Sequence, residues 1–225
     1  MGCVVLVTGG CRSGKSSLAQ DLAELLDPPR VYVATGVPTD SEMVERISRH
    51  QEARAARGWT TVEEPVEVAR VLAALPAEAP VVVDCLALWI GNLMWERNVA
   101  GESNPKLQAK ADEGTFLAHG SGKATYQAQS EDEVAAKCAA TLDICRSRGG
   151  PTIFVTNEVG MGVVPGTPAG RLFRDLLGRC NQVMARGADL VLLMISGLPQ
   201  VIKSPLISYE RTNEEVKRCF RELVG

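Results

Sequence analysis

Glycines, a lysine and a serine near the start of the chain have the spacing of a Walker A phosphate-binding loop. Four residues separate Gly9 from Gly14, and Lys15 and Ser16 follow directly. Glycines let backbone N–H groups converge on an anion, and the helix that follows adds the positive end of its dipole. The lysine of this motif reaches the β- and γ-phosphates, and the serine hydroxyl binds Mg²⁺. The predicted nucleotide-binding residues are Gly9, Gly10, Cys11, Arg12, Ser13, Gly14, Lys15 and Ser16.

Asp84 is a second candidate for the metal. It ends the apolar run at 81–83, where a strand of a P-loop protein carries a carboxylate that helps to hold Mg²⁺. An aspartate here also suits the cap of a following helix, and the two roles are compatible. We therefore predict that Ser16 and Asp84 bind the metal.

The two histidines lie in different contexts. His50 falls in a predicted helix at 41–57 that also carries arginines at 46, 49, 54 and 57, an arrangement suited to gathering phosphate. A neutral imidazole acts as a nucleophile or a base. Residue types alone still favour a solvated helix residue at His50, and they favour a solvated loop at His119.

Short apolar runs rich in β-branched residues alternate with segments of helical periodicity. The predicted strands are 3–8, 31–34, 81–84, 152–156 and 190–195. The predicted helices are 15–26, 41–57, 65–75, 86–97, 131–148 and 169–186. Continuous apolar strands separated by helices predict an α/β P-loop fold, with a doubly wound, mostly parallel sheet covered by helices on both faces.

A single catalytic domain is predicted over residues 1–203. Residues 98–130 are rich in Gly, Ser, Ala, Lys and Gln and are predicted to be a low-complexity loop insertion within it. Residues 204–225 form a predicted C-terminal extension with a short helix, because Val216, Phe220 and Leu223 have helical spacing.

Composition limits the class of protein. With 45% apolar and 23% charged residues the chain is expected to fold, and a net charge of −3 gives no general attraction for nucleic acid. An apolar run of about 18 residues, which a membrane span needs, is missing, so we expect a cytoplasmic protein. The seven cysteines include no Cys-x-x-Cys pair and predict buried, reduced thiols, with Cys11 filling space in the loop.

Six separated stretches occur in an order that resembles one family. They are VTGGCRSGKS at 7–16, YVAT at 32–35, Arg46-Ile47 followed by His50, Trp59 with Glu63, NEVGMGVVP at 157–165, and FRDLLGRCNQ at 173–182. Together they resemble the bifunctional adenosylcobinamide kinase / adenosylcobinamide-phosphate guanylyltransferase family of cobalamin biosynthesis. The resemblance covers residues 1–203 except the insertion.

The resemblance implies a two-step enzyme that uses ATP and GTP with Mg²⁺. It would phosphorylate the corrinoid adenosylcobinamide, and then pass GMP from GTP through a GMP-histidine intermediate to give adenosylcobinamide-GDP. His50 takes the nucleophile's position, and Lys15 assists catalysis. Further nucleotide contacts are implied at Ala34, Thr35, Gly36, Gln51, Glu52, Ala53, Arg54 and Glu63. A homotrimer is also implied.

Four features depart from the family's pattern. The insertion is longer than expected, the C-terminal segment is an extension, Asp84 stands where glutamate is expected, and Cys11 stands where a small residue is common.

Two other functions stay open. A monofunctional small-molecule kinase would use the phosphate loop and leave His50 idle. A nucleotide-gated regulatory module would bind nucleotide without any acceptor substrate.

Overall fold

A computed structural model describes residues 2–37, 52, 54, 56–99 and 130–204, the side chains of 95–99 excepted. His50, His119 and the predicted contact residues Gln51 and Ala53 lie outside the described residues. So do nearly all of the predicted helix at 41–57, residues 100–129 of the predicted insertion, and the helix predicted in the extension.

Seven strands form a single sheet in the described chain. They are β1 Val4–Gly9, β2 Arg30–Ala34, β3 Trp59–Glu63, β4 Val81–Asp84, β5 Thr152–Val155, β6 Leu190–Ile195 and β7 Leu198–Lys203. The order across the sheet is β3-β2-β4-β5-β1-β6-β7, and every neighbouring pair is parallel except β6 and β7. The predicted mostly parallel sheet is confirmed.

Five helices connect or flank the strands of the described chain. They are α1 Lys15–Glu24, α2 Val68–Ala74, α3 Leu86–Val99, α4 Glu131–Ser147 and α5 Pro168–Gly187. Helix α1 packs on β1, β4 and β5, whereas α4 and α5 pack on β1 and on each other, with α2 against α4 and α3 against α5. The predicted helices on both faces of the sheet are confirmed. None of the helices in the described ranges is long and apolar enough to cross a membrane.

The central strands are buried because helices cover them on both sides. Residues 4–7 of β1, 81–83 of β4 and 152–155 of β5 are all buried, and Phe154 is fully enclosed. Uninterrupted apolar runs of this kind are required of parallel strands that lack a solvent face. The loops that follow these buried strands therefore start from a well-packed sheet.

Helices α4 and α5 begin at residues whose side chains satisfy free backbone N–H groups. Ser130 accepts a hydrogen bond from the Glu133 amide, and the Glu133 side chain accepts one from the Ser130 amide, which forms a capping box. Thr167 caps α5 through the Gly170 amide, and Pro168 follows as its first residue. Ser130 therefore belongs to the start of α4, and residues 98 and 99 to the end of α3, rather than to the predicted insertion.

Strands β3 and β7 were not among the predicted strands. Only Trp59 of β3 is buried, so the strand shows no continuous apolar run. Strand β7 is mostly exposed and contains Pro199, which suits an edge strand. Periodicity finds buried strands, and these two lie at the opposite edges of the sheet.

Candidate active site

The phosphate loop has a backbone shape that two of its residues could adopt only as glycines. Gly9 has φ +146°, and a Cβ there would collide with the backbone carbonyl oxygen of Met194. Gly14, with φ +91°, leads into α1. Arg12 is the non-glycine residue of the loop with positive φ, at 54°. The loop therefore turns sharply between β1 and α1, as an anion-binding loop must.

Backbone hydrogen bonds hold the loop from both neighbouring strands. The Glu158 amide, just beyond β5, donates to the Gly9 carbonyl at 3.1 Å. The Gly197 amide, in the turn between β6 and β7, donates to the Ser13 carbonyl at 3.2 Å. The loop is consequently fixed by the sheet before any ligand binds.

Lys15 is buried beneath the loop and points its ammonium group into it. The side chain is 7% exposed, and Nζ donates to the Gly10 carbonyl oxygen. Burial lowers the pKa of Lys15, while the nearby Cys85, Asp84 and Cys11 oppose that shift. A lysine in this position is placed to exchange its carbonyl partner for a phosphate oxygen.

The charges of Asp84 and Lys15 interact, although β5 lies between β4, which Asp84 ends, and β1, which leads into the phosphate loop. The Oδ2 of Asp84 accepts a hydrogen bond from the Tyr32 hydroxyl at 2.6 Å. Burial and the Asp84 carboxylate raise the pKa of Tyr32 well above its ordinary value, so the phenol remains a donor. The predicted metal carboxylate is thus held by a buried tyrosine.

Two hydroxyl groups at the loop have no partner among the described residues. The side-chain oxygens of Thr8 and Ser13 are buried without a hydrogen bond there. Buried hydroxyls of this kind are normally satisfied by water or ligand.

The Ser16 hydroxyl and the Asp84 carboxylate fit a magnesium ion. Both are hard oxygen donors of the type that Mg²⁺ prefers when nucleotide phosphates complete its shell.

Three further predicted contact residues meet at the same edge of the sheet. Ala34 ends β2 in register with Glu63 of β3 and with Asp84 of β4. Because the carboxyl ends of parallel strands lie on one edge, these residues line the edge from which the phosphate loop also emerges. The resemblance implied nucleotide contacts at Ala34 and Glu63, whereas Asp84 was predicted from the apolar run that precedes it.

The side chain of Thr35 is used internally. It is fully buried, and its hydroxyl both donates to the Cys85 carbonyl and accepts from the Cys85 amide, each at 2.8 Å. The Thr35 carbonyl accepts from the Asn92 side chain at 2.7 Å, and the Thr35 amide donates to the Asp84 carbonyl. Thr35 therefore ties β2 to β4 and α3, and Gly36 is the half-buried residue that follows it at the edge.

Arg54 is buried against aromatic residues. It is 6% exposed, its guanidinium carbon lies 3.9 Å from the Tyr32 ring centre, and its Nε is 3.4 Å from the Thr61 hydroxyl. Trp59 meets the same tyrosine ring edge-on, with ring centres 6.1 Å apart. The predicted neighbour Glu52 is exposed. Tyr32 therefore contacts both Arg54 and Asp84.

The segment after β5 is braced at both ends and exposes apolar side chains between them. Asn181 of α5 donates to the Asn157 carbonyl at 3.0 Å, and Arg171 donates to the Pro165 carbonyl at 3.1 Å. The large exposed side chains of this segment are Met161 (84% exposed), Val163 (94%) and Val164 (60%). Apolar side chains held outward on a braced loop indicate a binding surface.

Cys11 differs from the prediction. The sequence predicted that it fills space in the loop, but it is exposed, because the loop leads the chain away from the core at this point. Cys3 is also exposed, whereas Cys85, Cys138, Cys145 and Cys180 are buried as predicted.

The sequence predicted most of these site residues, but it gave no role to three residues that contact parts of the site. The structure brings together the loop, Lys15, Asp84, Ala34, Glu63 and Arg54. Three residues that were given no role make contacts here: Tyr32 with Asp84 and Arg54, Asn92 with Thr35, and Asn181 with Asn157. Tyr32 and Asn181 do lie inside stretches that carry the family resemblance, which was the available signal.

Comparisons with known proteins agree on one family. A family model described as "Cobinamide kinase / cobinamide phosphate guanyltransferase" matches residues 5–202. "Bifunctional adenosylcobalamin biosynthesis protein CobU" of Salmonella typhimurium is 35% identical over 89% of this chain and 99% of its own length. The protein of the same name in Escherichia coli is 34% identical over the same shares. "Bifunctional adenosylcobalamin biosynthesis protein CobP" of Pseudomonas aeruginosa is 34% identical over 88% of this chain and 96% of its length.

Proposed function

Because this chain belongs to the cobinamide kinase / cobinamide phosphate guanyltransferase family, we propose that it carries out both reactions on adenosylcobinamide. It phosphorylates the substrate with a nucleoside triphosphate, and then transfers GMP from GTP to that phosphate to give adenosylcobinamide-GDP. The observation that carries the proposal is the braced phosphate loop, with buried Lys15 directed into it and Asp84 close by.

In the kinase step, an oxygen of the substrate hydroxyl attacks the γ-phosphorus of the triphosphate. The bond from that phosphorus to the bridging oxygen breaks, the nucleoside diphosphate leaves, and the hydroxyl proton is released. The loop amides and Lys15 stabilise charge on the β- and γ-phosphates, and exposed Arg12 lies on the loop where it can assist. Ser16 and Asp84 would hold Mg²⁺, which would supply positive charge to the phosphate oxygens.

In the guanylyl step, His50 is the nucleophile. Its neutral nitrogen attacks the α-phosphorus of GTP, pyrophosphate leaves, and a GMP-histidine forms; the phosphate of the substrate then displaces the histidine. The assignment is supported by the family's motif, in which Arg46-Ile47 is followed by His50. Gly36, Glu63 and residues 51–54 are proposed to contact the nucleotide.

The corrinoid acceptor is proposed to bind over residues 157–165. This segment starts beside the phosphate loop, since the Glu158 amide bonds to Gly9. Its exposed Met161, Val163 and Val164 offer an apolar surface to a large macrocycle. We further propose one catalytic domain over residues 1–203 and a cytoplasmic location, and, as the family resemblance implies, a homotrimer.

A product assay tests the proposal. Purified protein is incubated with adenosylcobinamide and Mg²⁺, once with ATP and once with ATP and GTP, and the corrinoids are separated and weighed by mass spectrometry. We expect the phosphate with ATP and the GDP derivative when GTP is added. Lys15→Met should lower the kinase rate by about 100-fold or more.

The assay also separates the two alternative functions. Phosphate without any GDP derivative would indicate a monofunctional kinase. Nucleotide binding with neither product would indicate a regulatory module. Either result would contradict the proposed bifunctional enzyme.

A further inference from the structure

Tyr32 joins residues from three parts of the candidate site. Its hydroxyl donates to Asp84 at 2.6 Å, its ring faces the Arg54 guanidinium at 3.9 Å, and only 6% of the residue is exposed. It lies in the middle of β2, one strand away from Asp84 on β4. The phosphate-transfer chemistry described above uses no group of this tyrosine.

The ring of Tyr32 is held from two directions. Arg54 covers one face, in the arrangement of a cation over an aromatic ring, and Trp59 packs edge-on at an interplanar angle of 83°. Arg54 is itself buried and is fixed by its contact with Thr61. A ring clamped in this way points its hydroxyl in one direction, and that direction is toward Asp84.

The clamp restricts the carboxylate of Asp84. One of its two oxygens is engaged by a buried donor, so the carboxylate cannot rotate freely and presents its second oxygen in a fixed direction. Hydrogen-bonded partners of this kind commonly set the orientation and affinity of a metal-binding carboxylate.

We propose that Tyr32 is a positioning residue, which orients the Asp84 carboxylate toward the Mg²⁺ of a bound nucleotide. The inference rests on the proposed function, because Asp84 meets the metal only when a magnesium nucleotide occupies the loop. Arg54 and Trp59 act through Tyr32 by holding its ring.

The test uses Tyr32→Phe, which keeps the ring and its packing and removes the hydroxyl. Binding of a fluorescent ATP analogue is measured first in EDTA and then during titration with Mg²⁺. We expect the affinity in EDTA to stay within about 2-fold of wild type, and the Mg²⁺ concentration for half-maximal effect to rise about 10-fold. An effect confined to the metal titration is one that general loosening of the fold would not produce.

Two further variants make the result specific. Thr141→Val removes another buried hydroxyl, which donates to the Lys137 carbonyl within α4, and it should bind Mg²⁺ and nucleotide as wild type does. In an Asp84→Asn background, Tyr32→Phe should change the Mg²⁺ titration no further, because the tyrosine acts through Asp84.

Three outcomes would overturn the inference. The first is an unchanged Mg²⁺ titration in Tyr32→Phe, and the second is an equal loss of affinity with and without metal. The third is an additive effect in the Asp84→Asn background. In each of these cases wild-type nucleotide binding leaves the proposed function standing, whereas a wild-type protein that binds no nucleotide would contradict both.

Discussion

Cys11 places a thiol on the exposed surface of the phosphate loop, two residues after Gly9. Buried thiols react slowly, since the thiolate is the nucleophile and burial opposes its formation. Burial, together with the nearby Asp84 carboxylate, raises the pKa of Cys85 to about 11. The two cysteines lie close to the same lysine and should still differ greatly in reactivity.

We therefore predict that iodoacetamide at pH 8 modifies Cys11 well before Cys85, and that ATP with Mg²⁺ protects Cys11. Peptide mass spectrometry after timed alkylation measures both rates. The pair offers its own control, because the buried thiol should react slowly whether or not nucleotide is present. Equal rates at the two cysteines, or no protection by nucleotide, would contradict the geometry of the loop.

Residue-scale chemistry was predicted where a local motif specifies it. Eight consecutive residues predicted the phosphate loop. The position of Asp84 directly after an apolar run predicted that it binds the metal. Tyr32 and Thr35 could not be assigned in this way, because their roles arise from contacts with residues 52 and 50 positions away along the chain. The spacing of residues in a local motif does not predict such long-range contacts.

At the scale of elements, the turn from β1 into α1 depends on its glycines to different degrees. A Cβ at Gly9 would meet the Met194 backbone and would require a strained φ, whereas a Cβ at Gly10 would have no neighbour within 4 Å. A backbone clash cannot be relieved by rotating a side chain. The two adjacent glycines therefore form a matched pair of positions.

We predict that Gly9→Ala lowers the free energy of unfolding by more than about 2 kcal/mol, through strain and the clash. Gly10→Ala should change it by less than about 0.5 kcal/mol. Chemical denaturation followed by circular dichroism measures both. Equal losses of stability in the two variants would show that the clash with the Met194 backbone and the strained φ at Gly9 do not control stability.

Element prediction succeeded in the interior of the sheet and failed at its borders. The five predicted strands and the helices α1 to α5 were found within a few residues of their predicted bounds. Strands β3 and β7 were missed because exposed strands need no continuous apolar sequence. The predicted helix at 41–57, which carries His50, stays a prediction.

For the whole molecule, buried acidic groups set the response to alkaline pH. Burial raises the pKa of Cys145 to about 11, as it does for Cys85, against an ordinary value of 9.0. The unfolded chain therefore releases these protons at lower pH than the folded chain. Stability due to the protonated thiols is full below pH 9 and is lost as the pH rises to about 11.

We predict that the free energy of unfolding falls by about 2 to 3 kcal/mol per buried thiol between pH 9 and 11. Tyr32, whose pKa burial also raises, adds to the loss above pH 10. Denaturation at several pH values measures the slope, and Cys145→Ala should make it shallower. A slope that is unaffected by this variant would show that other groups dominate.

The family assignment is a property of the whole chain. A phosphate loop alone occurs in many families of nucleotide-dependent proteins. Its combination with the motifs at residues 157–165 and 173–182 predicted one family. The family model that matches residues 5–202 confirms that prediction. The apolar surface proposed for the corrinoid could not be identified from sequence, because sequence does not show that Met161, Val163 and Val164 are exposed.

Intact-protein mass spectrometry can detect the transfer of GMP through His50. Wild type and His50→Ala are incubated with GTP and Mg²⁺ and weighed, and nucleotide binding is measured in parallel. We predict a mass increase of one GMP in wild type that is lost on mild acid treatment and is absent in the variant, which should still bind nucleotide. A wild-type protein that binds GTP without gaining mass, or a variant that gains it, would rule out GMP transfer through His50.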